Sequence, residues 1–349
     1  MNKTMFQKQP LKRWLLFLSL ILTLFIGFVI TTEASYAATK TMYFKTTATA
    51  NYYCQNTYNT IVGFYGKGEA VTVNKTQKYL TKNGAVVTYH EIRRFGETVY
   101  INSDYLTSKK PADAYRCTDC FKEIILKDKA NLYAQPKTSS AAVSCSEQSI
   151  CTVGRTGSWY KVVVNGQVRF IKKSDPAIQK VKSTTCPVTV KLSCSSTKKS
   201  NIKKRVQYQY SLLPDVVRTK FKQRGLTIQV VSKLPNADLE KMGASAYASS
   251  FEVNPKIYLK EAGVPYILEG NFLHEAGHIL TRLTPELTDK SGKSFSKCFS
   301  ERKKLSLGAH YQTQYEYAAE IFSIYILRPQ LLKSYAPNSY AYLHSLCTI

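Results

Sequence analysis

Two histidines four residues apart, His274 and His278, flank Glu275 in the stretch Asn271-Phe-Leu-His274-Glu275-Ala-Gly-His278-Ile-Leu280. The surrounding residues are apolar and helix-forming. On a helix, side chains at i and i+4 share one face, so both imidazoles can meet one metal ion while Glu275 reaches water held by it. That is the chemistry of a zinc peptidase. Catalytic zinc takes three protein ligands and keeps one position open, so a third ligand must come from elsewhere. A histidine six residues after His278 would supply it at once, but that position is Thr284. The candidates further on are His310, Glu316, Glu320 and His344.

The segment Gln314-Tyr-Glu316-Tyr-Ala-Ala-Glu320-Ile-Phe-Ser-Ile-Tyr-Ile-Leu327 narrows the choice. It reads as a helix stopped by Pro329, apolar on nearly every side, with its two acids spaced i, i+4. Burying carboxylates in such a helix is costly unless a cation meets them. Zinc and a zinc-bound histidine would do so. Glu316 is the expected third metal ligand, and Glu320, one turn on, the acid that orients a ligand imidazole.

These two helices need a frame. Leu213 to Gly225 reads as a helix with Pro214 in its first turn and Gly225 as its C-terminal cap, and Leu226 to Val231 as a strand. Ala246–Val253, the turn Asn254-Pro255 and Lys256–Leu259 predict a hairpin leading into the motif helix, which should run from about Ile267 to Arg282. A strand just ahead of the metal-binding helix is well placed to pair with an extended substrate.

The N-terminal part has another character. Lys3, Lys8, Lys12 and Arg13 precede the apolar run Trp14 to Ile30, with Ser35 and Ala37 at the −3 and −1 positions of a cleavage site. This pattern predicts a signal peptide over residues 1–37 and an exported protein with no stable membrane span after cleavage. The formal net charge is +26. Such a surplus favours anionic partners, and nothing reads as a nucleic-acid module. All nine cysteines follow the signal, so in an oxidising compartment disulfides are expected, with Cys186–Cys194 and Cys298–Cys347 as candidate pairs. Cys117-Thr-Asp-Cys120 is read as structural. Between Gln179 and Lys204 lie seven lysines and no acid, which reads as a linker.

Short alternating strands broken by turns fill residues 38–110 and recur over 114–178, with Tyr100-Ile101 and Phe170-Ile171 in equivalent places. Gly157-Ser-Trp-Tyr-Lys-Val followed by the hairpin turn Asn165-Gly166, and in the first unit Gly66-Lys-Gly68-Glu-Ala-Val with Tyr100-Ile-Asn-Ser-Asp-Tyr-Leu106, resemble bacterial SH3-like domains. That resemblance implies binding to peptidoglycan or an anionic cell wall. His90-Glu91, on a strand of the first unit without a second histidine, is expected to be a surface pair and not a metal site.

His274-Glu-Ala-Gly-His278, joined to Tyr315-Glu316-Tyr-Ala-Ala-Glu320-Ile-Phe322 and Ala336-Pro-Asn-Ser-Tyr-Ala-Tyr-Leu343, resembles the catalytic domain of the anthrax lethal factor family, which includes secreted Pro-Pro endopeptidases. The likeness spans roughly 205–349. It implies zinc on His274, His278 and Glu316, with Glu275 as the catalytic base. It also implies a tyrosine that supports the transition state, Tyr311 or, less favourably, Tyr315. Proline preference is implied by the family alone.

The expected fold is multidomain: two all-β SH3-like barrels, the basic linker 179–204, and an α+β zincin-type metallopeptidase domain over 205–349. The expected function is hydrolysis of a protein or peptide substrate at or outside the cell wall by a zinc metalloendopeptidase. The alternative is a wall-binding protein whose peptidase-like domain is catalytically silent and serves recognition. Separable domains on a linker also imply that removing residues 40–178 leaves peptide cleavage intact.

Overall fold

The computed structural model describes residues 39–51, 61–80, 85–183, 186–250, 252–261, 267–282, 295–305, 307 and 309–348. The signal-peptide segment 1–37 lies outside them. No helix among the described residues is long and apolar enough to cross a membrane.

The first β unit contains β1 (Lys40–Phe44), β2 (Ala48–Asn51), β3 (Ile61–Tyr65), β4 (Ala70–Val73), β5 (Lys75–Leu80), β6 (Val86–Arg94), β7 (Glu97–Asn102) and β8 (Leu106–Thr107). They form one sheet in the order β4-β1-β8 and another in the order β3-β2-β7-β6-β5. Alternation puts Val99 and Ile101 of β7 into a core with Phe44, Val62 and Val71. Phe95 and Gly96 join β6 to β7 with φ of 47° and 82°, the two positive values that a tight two-residue hairpin turn requires. His90 is buried on β6 and its Nδ1 lies 2.9 Å from the Thr76 hydroxyl. It is therefore a satisfied interior residue and not the surface group expected.

The second unit is a single seven-stranded sheet. Its strands are β9 (Lys122–Leu126), β10 (Ala130–Tyr133), β11 (Ala142–Cys145), β12 (Ser149–Thr156), β13 (Trp159–Val164), β14 (Gln167–Lys172) and β15 (Ile178–Ser183), in the order β11-β10-β14-β13-β12-β9-β15. Asn165 and Gly166, with φ of 50° and 67°, turn β13 into β14 as their sequence predicts. The internal repeat is visible in the pairing. The run β11-β10-β14-β13-β12 has the same order as β3-β2-β7-β6-β5, and Tyr133 faces Phe170 as Asn51 faces Tyr100. Neither run closes into a barrel among the described residues.

The C-terminal part is a mixed sheet with helices. In chain order it has β16 (Val188–Lys191), α1 (Ser196–Tyr210), α2 (Asp215–Gln223), β17 (Thr227–Val231), α3 (Ala237–Lys241), β18 (Ala246–Ser249), β19 (Lys256–Lys260), α4 (Ile267–Arg282), α5 (Ser296–Ser300), α6 (Gln314–Leu327), α7 (Pro329–Tyr335) and α8 (Pro337–Cys347). Strands β16, β17 and β19 run parallel, and β18 lies antiparallel to β19 at the sheet edge. The α2 helix ends at Gly225 with φ of 70°, the left-handed conformation that lets glycine close a helix.

The basic stretch expected as a linker is largely folded into this part. Val188 of β16 is buried while Thr189 and Lys191 are exposed, so Lys191 occupies the outer face of an edge strand. In α1 the buried positions Ile202, Arg205, Val206 and Gln209 recur at helical spacing. That face packs against the first β unit. The Tyr208 hydroxyl accepts a hydrogen bond from the Phe64 amide at 2.9 Å, Gln209 donates to the Ile61 carbonyl, Arg205 pairs with Glu97 at 3.3 Å, and Arg94 lies 4.4 Å from the Tyr208 ring centre. One apolar core runs from Ile61, Phe64, Trp159 and Phe170 through Tyr208 to Phe272, Ile279 and Phe322. The two β units are themselves locked by a buried ion pair, Lys161 Nζ to Glu69 Oε2 at 2.7 Å.

The candidate disulfides are not formed: Cys186, Cys194, Cys298 and Cys347 are free thiols. The Cys298 and Cys347 thiols are buried, and burial pushes them up to about 11 and about 12 respectively.

This continuity changes the expected behaviour of fragments. A chain beginning at residue 205 cuts α1, discards β16 and uncovers Tyr208. Such a fragment should show no cooperative thermal transition by circular dichroism, whereas residues 39–349 should unfold in one step. A sharp transition in the fragment would refute this. Lys161→Ala, which leaves Glu69 buried and unpaired, should cost about 3–5 kcal/mol in urea denaturation.

Candidate metal centre

The two helices forecast to carry the site have the forecast bounds, Ile267–Arg282 and Gln314–Leu327. Apolar residues drive both inward: Phe272, Leu273, Ala276, Ile279 and Leu280 from α4, and Tyr317, Ala318, Ile321 and Phe322 from α6, are fully or almost fully buried. Thr313 caps α6 by accepting from the Glu316 amide at 3.3 Å, and Pro329 prevents its continuation. What brings the helices close is Gly277. A β-carbon there would sit 2.6 Å from the Ala319 carbonyl oxygen and 2.8 Å from the Ala319 Cα. Backbone meets backbone where any other residue would hold them apart.

This contact sets His274, His278 and Glu316 against one another, with their ligand atoms all within 4.8 Å. Glu316 Oε2 lies 3.2 Å from His274 Nε2 and 3.4 Å from His278 Nε2. Ligands 2.0–2.1 Å from zinc at tetrahedral angles stand about 3.3–3.4 Å apart, so the donor set suits that ion. The opposite ring nitrogen, His274 Nδ1, lies 3.1 Å from Glu320 Oε2. That bond fixes the ring and leaves Nε2 aimed at Glu316. The two histidine rings meet edge to face, with centres 4.7 Å apart.

The electrostatics follow from this crowding. Burial pulls the His274 imidazolium down, but hydrogen bonds to Glu316 and Glu320 more than offset it and carry the group up to about 10. Burial opposes ionisation of Glu316 as well, yet its bonds to His274 and His278 hold its carboxyl well below the usual range. A proton and a divalent cation compete for the same imidazole lone pairs, so this acidic pocket attracts either. Glu275 differs: it is 8% exposed, and burial raises its carboxyl, while His274 and His278 act in the opposite direction. The backbone of Ala248, on edge strand β18, also favours its ionised form.

The remaining candidates separate clearly. Tyr311 lies in a short 3-10 turn, Ala309–Gln312, with its ring 5.9 Å from that of His274. Tyr315 is 42% exposed and lies under the Arg282 guanidinium, 5.1 Å away. His344 bonds the Tyr325 hydroxyl and stacks on Tyr340. The His310 side chain lies outside the described residues. Sequence reasoning missed two features, Gly277 as the point of helix contact and the backbone of Ala248 as an influence on Glu275. A small residue facing Ala318-Ala319 was the available signal for the first.

Gly277→Ala should therefore separate α4 from α6. The expected loss is about 1–3 kcal/mol of stability, together with weaker zinc binding in a competition titration, because Glu316 moves with α6. Unchanged zinc affinity in a folded variant would count against Gly277 as the spacing element.

A family model described as anthrax toxin lethal factor, N- and C-terminal domain, matches residues 256–346. No curated protein matches the chain. Among solved structures, a Pro-Pro endopeptidase from Paenibacillus alvei is similar at 16% identity and a TM-score of 0.35, covering 46% of this chain and 97% of that one. The lethal factor-like region of this chain contains His274, Glu275 and His278 of α4 and Glu316 and Glu320 of α6.

Proposed function

We propose that this chain is a zinc metalloendopeptidase that hydrolyses a protein or peptide substrate. The observation that carries the reading is the convergence of His274 Nε2, His278 Nε2 and a Glu316 carboxylate oxygen within 4.8 Å, beside a buried glutamate on the same helix. His274, His278 and Glu316 hold the zinc. Bound zinc supplies a Lewis acid and brings the pKa of water toward about 7.

The protein's own groups do the rest. Glu275 takes the proton of the attacking water and delivers it to the leaving amine, and its burial keeps its affinity for that proton high. Tyr311 donates its hydroxyl to the oxygen that gains charge as the carbonyl is attacked. Glu320 acts through His274, holding the imidazole in the tautomer and direction that binding needs. Strand β18 has one edge against β19, and its other side is the natural lane for an extended peptide, whose backbone it can bond while Glu275 stands alongside.

Export and wall association belong to the same proposal. The support is the basic leader with its apolar run and the +26 charge, which suits a polyanionic surface. Salt-dependent retention on purified wall material would measure it.

The decisive experiment combines zinc stoichiometry with cleavage of a peptide library. Glu275→Gln should keep one zinc per chain and lose cleavage by at least about 10²-fold, the lower end of acid–base contributions. Tyr311→Phe should lower kcat by about 10²–10³ with little change in KM. Glu320→Gln should weaken zinc binding about 10–100-fold. One bound zinc with no cleavage of any library by the wild type would favour a silent recognition domain instead.

A further inference from the structure

Away from the metal centre, the second β unit and the C-terminal part enclose a cleft of about 510 Å³. Its walls follow from the two periodicities of the chain. On β9, Glu123 and Ile125 share one face of the sheet, with Ser149 of β12 paired to Ile125 and Lys182 of β15 paired to Glu123. On α2, Asp215, Arg218, Thr219 and Lys222 recur at the spacing of one helix face and form the opposite wall. None of the lining residues belongs to α4 or α6. The volume falls within the about 300–1,000 Å³ of small-molecule sites, which favour junctions between folded units.

Most charges of the walls are engaged with one another. Ser149 Oγ donates to Asp215 Oδ1 at 2.6 Å, Arg218 Nη2 donates to the Ser149 carbonyl at 3.0 Å, and Lys182 Nζ lies 3.1 Å from Glu123 Oε2. Ser149 and Arg218 are buried, so these bonds make a fixed floor that joins the two units. Three cations, Lys182, Arg218 and Lys222, stand against two acids, Glu123 and Asp215. The surplus is Lys222, exposed and without an acid partner among the described residues. The exposed side chains of Gln148, Thr219 and Gln223 beside it also form no hydrogen bond among the described residues.

We infer that this cleft binds a saccharide bearing one acid group, an inference that does not depend on the metal chemistry. Amides and hydroxyls both donate and accept hydrogen bonds, as the hydroxyls of a sugar do. The Lys222 ammonium takes the acid through a charge-assisted bond, and the ring of Tyr210 in the lining offers an apolar surface with a polar tip. Ile125 is the one aliphatic side chain of the cleft, so a peptide, which is recognised through pockets for its side chains, finds little anchorage. A polyphosphate would meet the Glu123 and Asp215 carboxylates with a single surplus cation to offset them.

The test titrates the full chain calorimetrically with cellobiose and with cellobiuronic acid, which differ by one carboxylate. Wild type should bind the acid about tenfold more tightly. Lys222→Gln should keep cellobiose binding and reduce the difference to about twofold or less, and Gln148→Ala should weaken both sugars alike. Lys222 is exposed, and an unchanged thermal midpoint in Lys222→Gln will separate lost recognition from lost folding. A uronate-bearing wall polysaccharide that displaces cellobiuronic acid places the ligand on a polymer, whereas failure to displace it identifies a free acidic sugar. Equal affinity for the two disaccharides, a preference that survives Lys222→Gln, or no binding of either at millimolar concentration overturns the inference. Tighter binding of tetraglutamate or tripolyphosphate than of cellobiuronic acid overturns it as well, in favour of an acidic peptide or a phosphate ligand.

Discussion

The close approach of α4 to α6 at Gly277 and Ala319 is the constraint on which the site depends. Glu316 lies on a different helix, 42 residues along the chain from His274, so no spacing within one helix brings it to the histidines. Only contact between backbones brings a side chain as short as glutamate to both Nε2 atoms at 3.2 and 3.4 Å. The motif glycine is thus a structural requirement as strict as the histidines, though it bears no chemistry. Its conformation is ordinary helix, and the reason for glycine is the absent β-carbon alone.

Charge follows from that geometry. Bringing Glu275, Glu316 and Glu320 around two imidazoles inside apolar helices takes ionisable groups out of water, at several kcal/mol for each one left uncompensated. The structure resolves this for two of the three, with both histidines beside Glu316 and His274 Nδ1 beside Glu320, while burial leaves Glu275 with a raised affinity for a proton. The same pairings fit the proposed roles. A buried glutamate left without a histidine partner keeps the proton affinity that the proposed base needs, whereas one bonded to an imidazole holds the ring.

The two site helices were legible because their signals are local. An apolar segment with two acids at i, i+4 and the stop at Pro329 define α6, and the run from Ile267 to Arg282 defines α4. The β repeat was legible through its turns, Asn165-Gly166 above all, and the shared strand order bears out the internal offset seen between Tyr100-Ile101 and Phe170-Ile171. What was hidden is long-range. Lysines in 179–204 obscured the buried spacing of Ile202, Val206 and Gln209, since composition weighs exposed and buried faces equally. Nor does any local pattern reveal that Tyr208 will find the Phe64 amide 144 residues away. The contact at Gly277 was hidden for a similar reason, because it is specified by Ala319 on another helix.

Embedding alters how the part that holds the candidate metal centre should be understood. The motif helix touches β3 of the first β unit as well as α6, β18 and β19, and Phe272 shares a core with Phe64 and Trp159. A helix buttressed on several sides has little freedom to tilt, and rigidity is what a three-ligand site needs, because ligand atoms displaced by a fraction of an ångström lose metal affinity steeply. Tethers on a flexible strap could contribute nothing to that rigidity. The first β unit, whose β3 touches the motif helix, does contribute, and it stiffens the candidate metal centre through the packing of Phe64 with Tyr208 of α1.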